Sequence, residues 1–183
     1  GGYTVLTTSI NTISTGELLV KRLIDIIGGL VGCVLTGILF LFLAPAIKIQ
    51  SPGPVFFSQI RVGKNGKKFK LYKFRSMYTD AEERKAQLAT ENRVTDGLMF
   101  KLDFDPRIIG CRQLPDGTVK KGIGNFIRDW SFDEFPQFWN VLKGDMSLVG
   151  TRPPTEDEWV RYELHHRSRL AIKPGITGMW QVS

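Results

Sequence analysis

The run from Ile26 to Ile47, IIGGLVGCVLTGILFLFLAPAI, holds 22 residues and no charged side chain. As a helix it would measure roughly 33 Å, close to the ~30 Å hydrocarbon core of a bilayer. Buried helices of soluble proteins are usually shorter, and no cleavage-like polar region follows to make this a signal peptide. The sequence therefore predicts a membrane-embedded helix over residues 21–50. Both flanks are basic: Lys21 and Arg22 precede the run, and Lys48, Arg61 and Lys64 follow it. Positive charge marks the cytoplasmic side, so both ends read as cytoplasmic. A segment that enters the bilayer, bends and returns satisfies that; a straight span does not. Gly28, Gly29, Gly32 and Gly37 weaken the helix, while Pro45 lies too close to Lys48 to be the apex.

Charge is segregated along the chain. Between Ile26 and Thr79 there are eight Lys and Arg and no Asp or Glu, although the whole chain carries only +7. A local excess of this kind suits an anionic surface or a phosphorylated ligand. Cys33 and Cys111 are too few for a disulfide framework or a metal quartet and fit a reducing compartment. The Gly1-Gly2 opening without Met and the ending at Gln181-Val182-Ser183 read as those of a processed or trimmed chain, its C-terminal domain shortened.

Beyond Ser51-Pro52-Gly53-Pro54 the pattern is that of a small α+β domain, mainly helical with short strands, over residues 51–183. Val55 to Val62 reads as a strand. Asn65-Gly66 marks a turn, and KFKLYKFRSM alternates after it. Phe69, Leu71, Lys73 and Arg75 would share one face, with Lys70, Tyr72 and Phe74 on the other. Lys73 and Arg75 sit among apolar residues, which suits a defined anion site. Asp116-Gly117 marks an exposed hairpin. Capping boxes at Thr79-x-x-Glu82 and Thr155-x-x-Glu158 predict helices to about Thr90 and Leu170, and Gly144 is a helix stop.

The stretch SFDEFPQFWN places Asp133 and Glu134 side by side among aromatics. Ser131-x-x-Glu134 fits a third capping box, so by spacing alone the pair reads as helix punctuation. Adjacent carboxylates can also divide two tasks, one attacking phosphorus and the other holding a hard cation such as Mg²⁺. Arg152 lies on a loop stiffened by Pro153 and Pro154, a suitable bidentate phosphate clamp. His165-His166 lack metal-ligand spacing, and no nucleotide-binding glycine fingerprint occurs.

The ordered set KRLID, the apolar run, SPGPVFFSQIRVG, KFKLYKFRSM, SFDEFPQFWNVLKGDMSLVGTRPP and KPGITGMWQV resembles the bacterial sugar transferases, monotopic phosphoglycosyl transferases of polyprenol-phosphate pathways. The likeness runs from Lys21 to Val182. It implies transfer of a sugar 1-phosphate from a nucleotide diphosphate sugar to polyprenyl (undecaprenyl) phosphate, starting glycan assembly on the cytoplasmic face of the bacterial plasma (inner) membrane. By the same likeness Asp133 is the nucleophile that carries the phosphosugar, Glu134 a catalytic residue and Mg²⁺ ligand, and Lys73, Arg128 and Arg152 phosphate-binding groups. Ile38 stands where the family usually has its helix-breaking proline, so Gly37 would have to supply the bend. The GTRPP loop is similar to that of capsule and exopolysaccharide members, which often use glucose or galactose from a UDP donor. Membrane lipids are expected partners and nucleic acid is not; a homodimer is left open. The rival reading is a non-catalytic basic scaffold at the membrane surface.

Overall fold

The computed structural model describes residues 14–84, 104–161 and 172–177. Helix α1, Thr15–Gln50, starts earlier than the apolar run suggests. Ser14 and Glu17 explain this: Ser14 Oγ accepts from the Glu17 amide, and the Glu17 carboxylate accepts from the Ser14 amide. That reciprocal cap satisfies two amides that a helix start otherwise leaves unpaired.

The helix is continuous to Gln50, and no turn-back appears at Gly37. A single interior glycine costs only ~1 kcal/mol, too little to end a helix held by packing. The other glycines have a different use from the bend expected of them. A Cβ on Gly32 would stand 2.1 Å from Phe138 Cγ, one on Gly29 2.9 Å from Leu142, and one on Gly28 2.5 Å from Leu148. These glycines let α1 approach the domain closely. At Gly37 nothing lies within 4 Å.

Strands β1, Phe56–Val62, and β2, Lys68–Phe74, form an antiparallel hairpin with Val62 opposite Lys68 and Phe56 opposite Phe74. The turn between them contains Asn65 and Gly66, as the sequence predicts. Helix α2 is described over 81–84 only; the rest of its predicted length lies outside the described residues. A second hairpin pairs β3, Arg112–Gln113, with β4, Val119–Lys120, about the Asp116-Gly117 turn. Helix α3, Ile123–Asp129, leads to a 3₁₀ turn at Phe132–Glu134 and then to α4, Gln137–Lys143. Gly144 ends α4 with φ +91°, a conformation costly for any residue with a Cβ. Strand β5, Ser147–Val149, pairs in parallel with β6, Gly175–Thr177; between them α5, Glu156–Val160, opens on the expected Thr155–Glu158 capping box. His165, His166, the remaining predicted length of that helix and the chain after Thr177 lie outside the described residues.

Two apolar cores flank the β1–β2 hairpin. One gathers Leu43, Ala44 and Ile47 of α1 with Val55, Phe74, Ile109 and Ile127. The other joins Phe69 and Leu71 to Val141 and Met146. The alternation read from KFKLYKFRSM thus feeds both cores from one strand. Polar contacts fix the other end of α1. Arg22 donates to the Val141 and Leu142 carbonyls at 2.8 and 2.7 Å, in the last turn of α4. The opposite side of α1 stays apolar and exposed, with Leu23, Ile27, Leu30, Val34 and Leu41 outward.

Candidate active site

Ser131 does not cap. It sits in the left-handed region at φ 55°, ψ 24°, and its side chain accepts no cap hydrogen bond. The chain instead makes a tight 3₁₀ turn, and α4 begins only at Gln137, with Pro136 at its N-cap position. The capping-box reading of Ser131 and Glu134 is therefore incorrect. The matching spacing was misleading because the left-handed Ser131 sends the backbone into a turn. Such a conformation costs a non-glycine residue about 1–2 kcal/mol and is held by its surroundings. Phe132 and Phe135 supply that hold: their rings meet edge-on at 5.8 Å and pack against the core around Ile127.

The turn presents Asp133 and Glu134 to Lys73. Lys73 Nζ lies 3.4 Å from Glu134 Oε1 and 3.9 Å from Asp133 Oδ2. The two carboxylates differ in setting. Asp133 is the more enclosed, with its side chain 17 % exposed against 41 % for Glu134. Burial pushes the Asp133 carboxyl above the usual aspartate range, Lys73 pulls it back, the neighbouring Glu134 raises it, and Arg128 lowers it.

Both carboxylates open on a cavity of about 510 Å³ whose walls include Lys73, Arg128 and Arg152. The structure thus brings together five of the six residues singled out from the sequence. Arg75 is the exception. Its guanidinium is buried, donates to Ser51 Oγ at 2.9 Å and to the Ser51 and Pro52 carbonyls, and does not reach the cavity. Arg75 ties the C-terminal cap of α1 to β2. The period-two pattern placed it on the Lys73 face, but β2 ends at Phe74 and the alternation stops there.

Arg61 is a cavity residue that the sequence reading used only as a topology marker. It is 7 % exposed and donates to the Pro153 carbonyl at 3.1 Å and to Gln59 Oε1 at 2.8 Å. The Val62 amide donates to the Pro154 carbonyl, so this end of β1 braces the loop that carries Arg152. Burial first, and then the charge of Arg152, hold the Arg61 guanidinium below its ordinary value. Its Nε is buried without a hydrogen-bond partner. Glu158, 3.9 Å from Arg61 Nη1, offsets part of this charge and raises the guanidinium again, and an anion in the cavity would offset more. The available signal was a single charged residue in an otherwise uncharged strand, FFSQIRV. Gln137, also buried, completes the same wall.

Asp133 and Glu134 are hard oxygen donors facing this space. Among the described residues no three acidic, His or Cys side chains gather into a ready ligand set. The donors present fit Mg²⁺ in its usual protein setting, one or two carboxylates with the remaining positions filled by substrate phosphate and water.

Fold and site together define a class: a small α+β domain docked on one long apolar helix, with paired carboxylates in a cationic cavity beside that helix. The chain belongs to the bacterial sugar transferase family, whose sequence profile matches residues 16–183. It is 51 % identical over its whole length to the galactosyl transferase CpsE of Streptococcus agalactiae, of which it spans 37 %. It is 39 % identical over 89 % of its length to the undecaprenyl-phosphate galactose phosphotransferase of Salmonella typhimurium, spanning 32 % of that protein. Against the uncharacterized sugar transferase EpsL of Bacillus subtilis the identity is 36 %, covering 91 % of this chain and 69 % of the relative. The chain therefore spans about a third of the first two relatives.

Proposed function

We propose that the protein transfers a sugar 1-phosphate from a nucleotide diphosphate sugar to a polyprenyl phosphate through a covalent intermediate on Asp133. The observation that carries this reading is the enclosed Asp133 beside Glu134 and Lys73, in a cavity with guanidinium groups on its walls. The Asp133 carboxylate attacks the sugar-bearing phosphorus. The bond from that phosphorus to the bridging oxygen breaks, and nucleoside monophosphate leaves with the bridging oxygen and its electron pair. An oxygen of the acceptor phosphate then attacks the same phosphorus, and the Asp133 oxygen departs as carboxylate. No proton is needed in either exchange. Lys73, Arg128 and Arg152 bind and orient the phosphates and offset developing charge. Arg61 holds the Arg152 loop in place. Glu134, with Asp133 beside it, would hold Mg²⁺, whose positive charge lowers the repulsion between carboxylate and phosphate.

A lipid acceptor requires the cavity to lie at a membrane surface. Contacts between α1 and the domain run from Arg22 to Ile47, about 38 Å of helix, longer than a bilayer core. A perpendicular span would pull the basic domain into hydrocarbon. We infer that α1 is embedded from one side with its exposed apolar face in lipid, and that the domain rests on the cytoplasmic face of the bacterial plasma (inner) membrane. A UDP-hexose is the expected donor, galactose first, since two of the relatives above carry galactose or galactosyl in their names.

The test omits acceptor. Protein, Mg²⁺ and UDP-galactose or UDP-glucose are mixed and intact mass is read. A hexose-phosphate added at Asp133, with release of UMP, is expected; chelation should abolish it and added Mg²⁺ restore it. Undiminished turnover in Asp133→Asn would sink the assignment.

A further inference from the structure

A second cavity of about 340 Å³ lies between α1 and the turn that carries the carboxylates. It is lined by Cys33 and Thr36 of α1, Phe56, Tyr72, Pro136 and Trp139. We propose that it receives the first isoprene units of the acceptor's chain; this rests on the reading of the protein as a polyprenyl-phosphate transferase.

Three observations carry the assignment. The walls are aromatic or weakly polar, and the floor is continuous with a ring stack in which Phe56 lies 5.5 Å from Phe40 and 5.2 Å from Phe74. Thr36 Oγ1 is already engaged, 2.7 Å from Gly32 O and 3.0 Å from Phe135 O. The Thr36 hydroxyl is therefore spent, and a ligand here meets chiefly the rings of Phe56, Tyr72 and Trp139. Next, two of the six lining residues, Cys33 and Thr36, come from α1 itself, beside its exposed Val34, Leu35 and Ile38. A chain entering from lipid reaches the cavity without crossing water. Finally, the cavity adjoins the cationic one through chain neighbours on both sides. Tyr72 lines this cavity and Lys73 the other; Pro136 lines this one and Gln137 the other. Consecutive Cα atoms stand ~3.8 Å apart. A molecule with an apolar tail and an anionic head matches that pairing, the tail against Trp139 and the head toward Lys73. The contact from Thr36 to Phe135 O, one residue after Glu134, places the middle of α1 directly against the carboxylate turn.

A polyprenyl phosphate bearing a photoreactive group on its first isoprene unit is reconstituted with the full chain in lipid nanodiscs, irradiated and digested. Crosslinks are expected on the peptides containing Cys33 and Trp139. Labelling spread evenly along α1, or confined to the groove beside Val20 and Leu148, overturns the proposal. Protection of those peptides by UMP alone assigns the cavity to the donor's base and also overturns it. Cys33→Trp, checked for fold by circular dichroism, is expected to raise the acceptor KM at least ten-fold; an unchanged KM in a folded variant rejects the site. Adduct formation on wild-type Asp133 without acceptor separates the two claims. An adduct with crosslinks elsewhere removes only the cavity assignment, whereas no adduct removes the transferase reading and the acceptor site with it.

Discussion

Ser147 Oγ donates to the Asp25 carboxylate at 2.9 Å, joining α1 to β5 across 122 residues of sequence. The same carboxylate oxygen accepts from the Leu148 amide at 2.9 Å, and Asp25 is only 4 % exposed. A buried carboxylate satisfied by two donors is a specific dock, because nothing apolar can replace both bonds. Asp25→Ala would leave the Ser147 hydroxyl and the Leu148 amide without this partner. Hydrogen bonds to charged groups contribute about 1.5–3 kcal/mol each, so a loss of roughly 3 kcal/mol is expected. Urea unfolding in detergent checks it; an unchanged midpoint would contradict the docking role.

The glycines of α1 separate contact from flexibility. Gly32→Leu must displace Phe138 and is expected to destabilise by about 1–3 kcal/mol, as overpacked sites do. Gly37→Leu meets open space and replaces glycine in a helix, so it should be neutral or slightly stabilising. Paired thermal melts decide the matter. Equal losses in both variants would point to a bend at Gly37 rather than a contact at Gly32.

Asp133 should limit stability while serving chemistry. Its folded pKa is raised above the unfolded value, chiefly by burial. The folded state therefore binds the proton more tightly. The stability this contributes is present at acid pH and is lost as pH rises through the folded pKa. At neutral pH the ionised group is a net liability, so Asp133→Asn should melt higher than wild type while losing adduct formation. Adduct formation in the wild type should fall on the acid side at a pH above that of an ordinary aspartate. A melting temperature lowered by the substitution would show that the Lys73 ion pair outweighs desolvation.

Arg61 and Arg75 are both buried but should fail differently. Arg61→Met removes the brace on Pro153 and is expected to raise the donor KM about ten-fold or more, with partial rescue in Arg61→Lys. Arg75→Met breaks the Ser51 clamp and should cost stability of a few kcal/mol, leaving the donor KM of the folded fraction unchanged. Steady-state kinetics beside melting curves separates the two. An intact donor KM in Arg61→Met would remove Arg61 from the cavity's working parts.

The sequence by itself determined the local and chemical features: the apolar helix, the β1–β2 hairpin about Asn65-Gly66, the Thr155 cap, the Gly144 stop and the candidate groups Asp133, Glu134, Lys73, Arg128 and Arg152. Each rests on short-range rules of periodicity, capping or residue chemistry, or on an ordered set of motifs. Tertiary structure decided what those rules cannot reach. Ser131 matched a capping box, yet it sits at φ 55°, in a turn whose Phe132 and Phe135 pack against a core that includes Leu43, Ile47 and Phe74, far away in the chain. Arg75 matched the Lys73 face, yet strand alternation held only to Phe74 and Ser51 took the guanidinium. Arg61 became a cavity wall only when the Pro153 carbonyl, 92 residues away, came within 3.1 Å. The glycines of α1 read as weak points until Phe138, Leu142 and Leu148 were set against them. Burial and partnership are properties of residues distant in sequence; periodicity states which way a side chain points, but only the folded chain states what it meets.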